Sequence, residues 1–272
     1  MMDTITNCLG YGFVRDAFMA GTLAAILGAI VGYFVVVRNV SFAAHALSHI
    51  GFTGAAAAAL FGLAPLPGML LFTVIAGLFM GVSGDKLQRS DMAIGMVLSV
   101  SLGFGMLFLS LYRGGFAGQA RAILFGSIFG VSPGEVVEMA LLSTLSLVAL
   151  AFFSRRLLFA SIQPRLAEAR GLSLTRLSVA FMVVLAVSVT LASQVVGILL
   201  VFTLVIAPAG IALRICRSVW LGIATSVVLG VVVVWIGILL DCITGWPATF
   251  WITALFFVIY LAVEGWCRMT SR

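Results

Sequence analysis

The chain has 272 residues, of which 63% are hydrophobic and 9% charged, with a formal net charge of +6. So little polar surface cannot cover a soluble core, which excludes a water-soluble catalytic domain. The basic excess never gathers into a run interleaved with aromatics, so it does not read as a nucleic-acid surface. Inside lipid the backbone must satisfy itself, which leaves helices or a closed barrel. The apolar runs are about twenty residues long, whereas barrel strands alternate over about ten. The expected fold is all-α: one transmembrane domain over residues 1–272, in a cell (inner) membrane.

Met1 to Ala20 carries Asp3, Arg15 and Asp16 and reads as an amphipathic lead-in, not a cleavable signal. Nine spans then follow, at Phe18–Val37, Ala43–Gly62, Leu66–Gly84, Met92–Tyr112, Val136–Ser154, Leu177–Ser193, Val195–Leu213, Val219–Leu240 and Ala248–Val263. The sixth and seventh are divided only at Ser193–Gln194, so eight spans is the alternative. Nine spans place Arg38, Lys86, Arg89, Arg155, Arg156, Arg165, Arg170, Arg176, Arg214, Arg217, Arg268 and Arg272 on one side. Arg15, Arg113 and Arg121 fall on the other. Twelve against three makes the first side cytoplasmic, with the N-terminus outside and the C-terminus inside.

Two connections carry elements of their own. In the cytoplasmic loop at 155–176, Pro164 suits the first turn of a short helix through Leu166, Ala167, Glu168, Ala169 and Arg170, and Gly171 supplies the C-cap. Such a helix is a docking element for a soluble partner; the alternative is an arginine anchor on anionic lipid. In the outer loop, the apolar stretch Ala122–Val131 is too short to span and is expected to tuck between helices.

The two histidines, His45 and His49, stand at i and i+4 on one helical face, with Cβ atoms about 5–6 Å apart. Imidazoles so placed can share one divalent metal at about 2.0–2.1 Å per nitrogen. Polar groups at membrane depth generally face a pathway or a partner. Helix-to-helix hydrogen bonds or a pH-sensing pair are the plainer readings. Metal ligation needs neutral imidazole, so it should weaken as pH falls through about 6.5.

The acids say less. Asp85 and Asp91 read as solvated, and Glu135 and Glu138 suit the start of a helix. Asp241 could draw cations inward at the outer side or be a plain interfacial acid, and Glu264 should pair with Arg268 at i+4. Gly51, Gly54 and Ala55–Ala59 let a neighbouring helix approach closely, and Pro208 should kink or break its helix. The cysteines Cys8, Cys216, Cys242 and Cys267 suggest no disulfide framework or zinc ribbon. No GxxxxGK[ST] loop occurs, so any ATP must be used on another polypeptide.

These residues resemble the permease subunits of the zinc/manganese/iron ATP-binding-cassette importers, the ABC-3 family of metal permeases. Four strings in family order carry the resemblance: Arg38-Asn-Val-Ser-Phe-Ala-Ala-His45-Ala-Leu-Ser-His49, Ile123-Leu-Phe-Gly-Ser-Ile-Phe-Gly130, Leu166-Ala-Glu-Ala-Arg-Gly-Leu172, and Val196-Gly-Ile-Leu-Leu-Val201 running on to Ala207-Pro-Ala209. It implies a fold like the type II importer permeases, a homodimer, ATPase subunits docked on the coupling helices and an external metal-binding protein. It also implies no permanently bound cofactor, a transported divalent metal, and ATP held by the partner. The family usually has aspartate at the position of His45, and often Asp-x-Pro where Gly245-Trp-Pro247 stands. Both departures remove oxygen ligands and one adds nitrogen, which favours zinc over manganese. The alternatives are a manganese or iron importer of the same type, or a proton-coupled secondary transporter. An intramembrane metalloprotease lacks its glutamate, because Ala46 holds the place that HExxH needs.

Overall fold

The computed structural model describes residues 11–88, 91–112, 124–126 and 128–270, with side chains left aside at 84–88, 91 and 270. The readings of Asp3, Cys8, Asp85, Lys86, Arg89, Asp91, Arg113, Arg121 and Arg272 therefore lie outside what is described. Regular structure among the described residues is helical. It comprises α1 (Gly12–Val37), α2 (Ser41–Leu60), α3 (Pro65–Gln88), α4 (Asp91–Leu111), a 3-10 turn (Ile128–Gly130), α5 (Pro133–Ile162), α6 (Pro164–Ala169), α7 (Leu174–Val196), α8 (Val201–Ile215), α9 (Val219–Thr244) and α10 (Ala248–Thr270).

Seven of these helices are long and apolar enough to cross a bilayer: α1, α3, α4, α5, α7, α9 and α10. The nine expected spans each have a helical counterpart, but two fall short of that standard. α8 has only 15 residues, and α2 is diluted by its histidines and small residues.

Size and capping explain how the bundle assembles. α1 packs against α5, α7, α8 and α9, while α2 is enclosed by α3, α4 and α7. α2 meets α3 almost backbone to backbone. A Cβ on Gly54 would sit 2.2 Å from the carbonyl oxygen of Gly68, and one on Gly68 would sit 2.3 Å from that of Gly54. Small residues permit that crossing, since lipid gives apolar side chains little reason to prefer protein. Hydroxyls add specific ties: Thr73 Oγ1 lies 2.8 Å from Thr190 Oγ1, joining α3 to α7.

The charged ends gather together. Arg38, just past α1, donates from Nη2 to Ser178 Oγ at the start of α7 (2.9 Å) and lies over the Phe181 ring. Arg214 at the end of α8 pairs with Glu264 on α10, and Arg268 donates to the same carboxylate at 3.2 Å. The expected Glu264–Arg268 pair is thus present, with Arg214 as an addition. At the other end of α5, Ser132 and Glu135 form a capping box, so Glu135 does serve a helix start.

Three local expectations need correction. α7 does not stop at Ser193–Gln194: the Gln194 amide donates to Glu135 Oε1 at 3.2 Å, and the helix runs on to Val196. The break comes at Gly197, whose φ of +86° suits only glycine. Pro208 sits inside α8 without ending it, so of the expected kink or break the break does not occur. Cys242 is disulfide-bonded, while the Cys216 thiol lies 3.3 Å from the Thr225 hydroxyl.

Candidate metal site and coupling helix

The histidine pair lies in the first three turns of α2. The rings of His45 and His49 stand 4.6 Å apart between centroids, at 83° to one another. Each is partly buried, and the Nδ1 of each is buried without a hydrogen-bond partner. Neither Nδ1 makes the helix-to-helix hydrogen bond of the plainer reading. A buried, unpaired nitrogen is costly in a low-dielectric setting, which makes the pair the candidate site. Ser48 turns away from the pair, donating to the carbonyl of His45 at 2.6 Å.

No group of three or more His, Cys, Asp or Glu forms among the described residues, so the pair supplies two ligands and not a cage. Asp241 does not join it. Its Oδ2 accepts from the backbone N–H of Ala248 at 2.9 Å, which ties the end of α9 to the start of α10. That bond gives the acid a structural use at the α9–α10 connection.

Sequence reasoning missed Phe202. Its ring stands 5.3 Å from that of His45, at 75°. Phe202 lies just beyond the break between α7 and α8, and that break is braced from elsewhere in the chain. Leu199 donates its N–H to the carbonyl of Leu124 (3.3 Å), and Gly126 and Gly197, both at positive φ, meet backbone to backbone. A Cβ on either glycine would come within 2.5 Å of the other's nitrogen. The apolar piece at 122–131 tucks in only in part: Ile128 and Val131 are buried and Phe125 is exposed, while Ala122, Ile123 and Ser127 lie outside the described residues. Two of the family strings are therefore halves of one contact, and unpaired backbone at a break in lipid needs such a partner.

At the charged end, α6 follows α5 directly. Pro164 opens it, and the N–H of Gly171 and of Leu172 reach back to the carbonyls of Glu168 (2.8 Å) and Ala167 (3.0 Å). That is a Schellman closure with glycine at φ +77°. Leu166, Glu168, Ala169, Arg170 and Gly171 are exposed, but Ala167 is fully buried. Ala167 therefore anchors the helix and is not part of its outer face. Arg170 also turns partly inward, its guanidinium 5.1 Å from the Phe159 ring centroid.

A multi-pass helical bundle with an unpaired imidazole pair inside and a capped helix bared at one end is the design of a membrane transport protein. The chain belongs to the ABC 3 transport family, whose model matches residues 10–264. It is 26% identical to the manganese transport system membrane protein MntC of Listeria innocua, over 94% of this chain and 93% of that one. It is 27% identical to the chelated iron transport system membrane protein YfeD of Yersinia pestis, over 96% and 89% respectively. PsaBC from Streptococcus pneumoniae, solved in complex with Fab, shares the fold with a TM-score of 0.85. That match has 23% identity and covers 96% of this chain and 94% of that one.

Proposed function

We propose that this chain is the permease subunit of an ATP-driven importer of divalent metal, with zinc as its cargo. The observation that carries the reading is the His45–His49 pair, two unpartnered imidazole nitrogens inside a bundle of the ABC 3 transport family. Two nitrogen donors with no clustered carboxylate among the described residues suit zinc better than manganese, which prefers oxygen. Two ligands also hold an ion weakly enough to release it, as conduction requires. The relatives' names, manganese and chelated iron transport proteins, favour the competing cargo.

In this reading an external binding protein delivers the ion, and ATPase subunits press on the exposed face of α6. The charged end, with Arg38, Arg155–Arg176, Arg214 and Arg268, is cytoplasmic. A second copy completes the pathway as a homodimer, for which the bare faces of α4 and α10 leave ample room.

The test is ATP-dependent uptake of radioactive zinc by the reconstituted permease and its ATPase, in competition with manganese. Zinc should outcompete manganese in the parent, and His45→Asp should narrow that margin by exchanging nitrogen for oxygen. Manganese displacing zinc in the parent would replace zinc with the competing cargo.

A further inference from the structure

The imidazole of His45 is walled by three rings. His49 lies on its own face at 4.6 Å, Phe42 at 6.3 Å on the preceding turn, and Phe202 at 5.3 Å from α8. Phe202 is the wall supplied by another helix. It is the second residue of α8, directly after the break at Gly197, and the Gly126–Gly197 contact sets where that break lies. A site meant to hold an ion gains no ligand from a phenyl ring. What the ring does is occupy space that water would otherwise fill.

That occupancy matters because the pair is so short of ligands. A four-coordinate ion on two imidazoles still lacks two donors, and a six-coordinate ion lacks four. No third His, Cys, Asp or Glu joins the pair among the described residues, so water must make up much of the shortfall. Removing the phenyl ring would open room on the order of three waters at about 30 Å³ each. We infer that Phe202 is a specificity-determining residue: by covering His45 it limits the water an ion can keep there, favouring a four-coordinate ion over a six-coordinate one. The inference rests on the reading of the histidine pair as a metal site. It also explains why two glycines far apart in the chain meet at the break, since their contact places the shutter.

The experiment uses Phe202→Ala and Phe202→Leu, the second keeping the question answerable if the alanine variant does not fold. In metal-free protein, modification of His45 by diethyl pyrocarbonate is followed by mass spectrometry; the chain has two histidines and both are read. In the reconstituted complex, the zinc-to-manganese uptake ratio is measured. Loss of the ring should speed modification of His45 and shift the ratio toward manganese, each by roughly tenfold for alanine and less for leucine. Unchanged modification in both variants, or faster modification with an unchanged ratio, overturns the inference. The metal-site reading fails separately, if zinc gives the parent's histidines no protection from the reagent.

Discussion

α2 and α9 are inside out with respect to a soluble protein. α2 is built of alanine, glycine, serine and histidine, and 15 of its 20 residues are buried. α9 is a nearly unbroken run of valine, leucine, isoleucine and tryptophan, yet it buries seven of 26. Trp220, Leu221, Val228 and Trp235 are among its exposed side chains. In water the assignments would be reversed, because apolar area drives burial there. In lipid that drive vanishes, so close packing of small residues and paired hydroxyls decides what goes inside. The interior position of α2, in turn, is what surrounds its two imidazoles with protein.

The contrast makes stability predictions that a soluble protein would not follow. The largest concerns the crossing of α2 and α3. Gly54→Leu drives a side chain into the Gly68 carbonyl and should cost about 3 kcal/mol or more. Thermal unfolding in detergent would show it as a lost or collapsed transition. A parental transition would mean that the helices are not locked at this point.

Next in size is α6, where two alanines two residues apart should behave differently. Ala167→Glu puts a carboxylate where nothing is exposed and should cost about 2 kcal/mol in the same assay. Ala169→Glu sits on the exposed face and should leave stability unchanged while uncoupling ATP hydrolysis from transport. Normal coupling in Ala169→Glu would remove the docking role from that face.

A smaller effect is expected at the hydroxyl tie between α3 and α7. A double-mutant cycle of Thr73→Val and Thr190→Val should return a coupling of about 0.6 kcal/mol, the usual scale for such bonds in membranes. The least change belongs to the lipid side. Gly103→Leu on α4 meets nothing within 4 Å and should stay within about 0.5 kcal/mol of the parent. A large loss there would show that α4 is covered by something, such as a second copy.

Much of the molecule was legible in the amino-acid order because lipid imposes simple rules. Each long apolar run became a helix, Pro164 and Gly171 bracketed α6, and His45 and His49 shared a face. What escaped depends on partners distant in the chain. Gln194 looked like a break because it is polar, but Glu135 from α5 satisfies it and lets α7 continue. Ala167 looked exposed within a polar loop, yet the fold of α6 turns it inward. Asp241 gave no hint in the sequence that its carboxylate would tie the start of the last helix through Ala248. Phe202 carried no signal, since one phenylalanine among 21 is marked only by the ring it touches.

The most direct test of the histidine pair as the ion's station is radioactive zinc uptake by the reconstituted complex carrying His45→Ala and His49→Ala together. Uptake should fall to the background of complex without ATP, while the assembled subunits and their ATPase activity persist. Zinc import at the parental rate would contradict it, leaving His45 and His49 as packing residues.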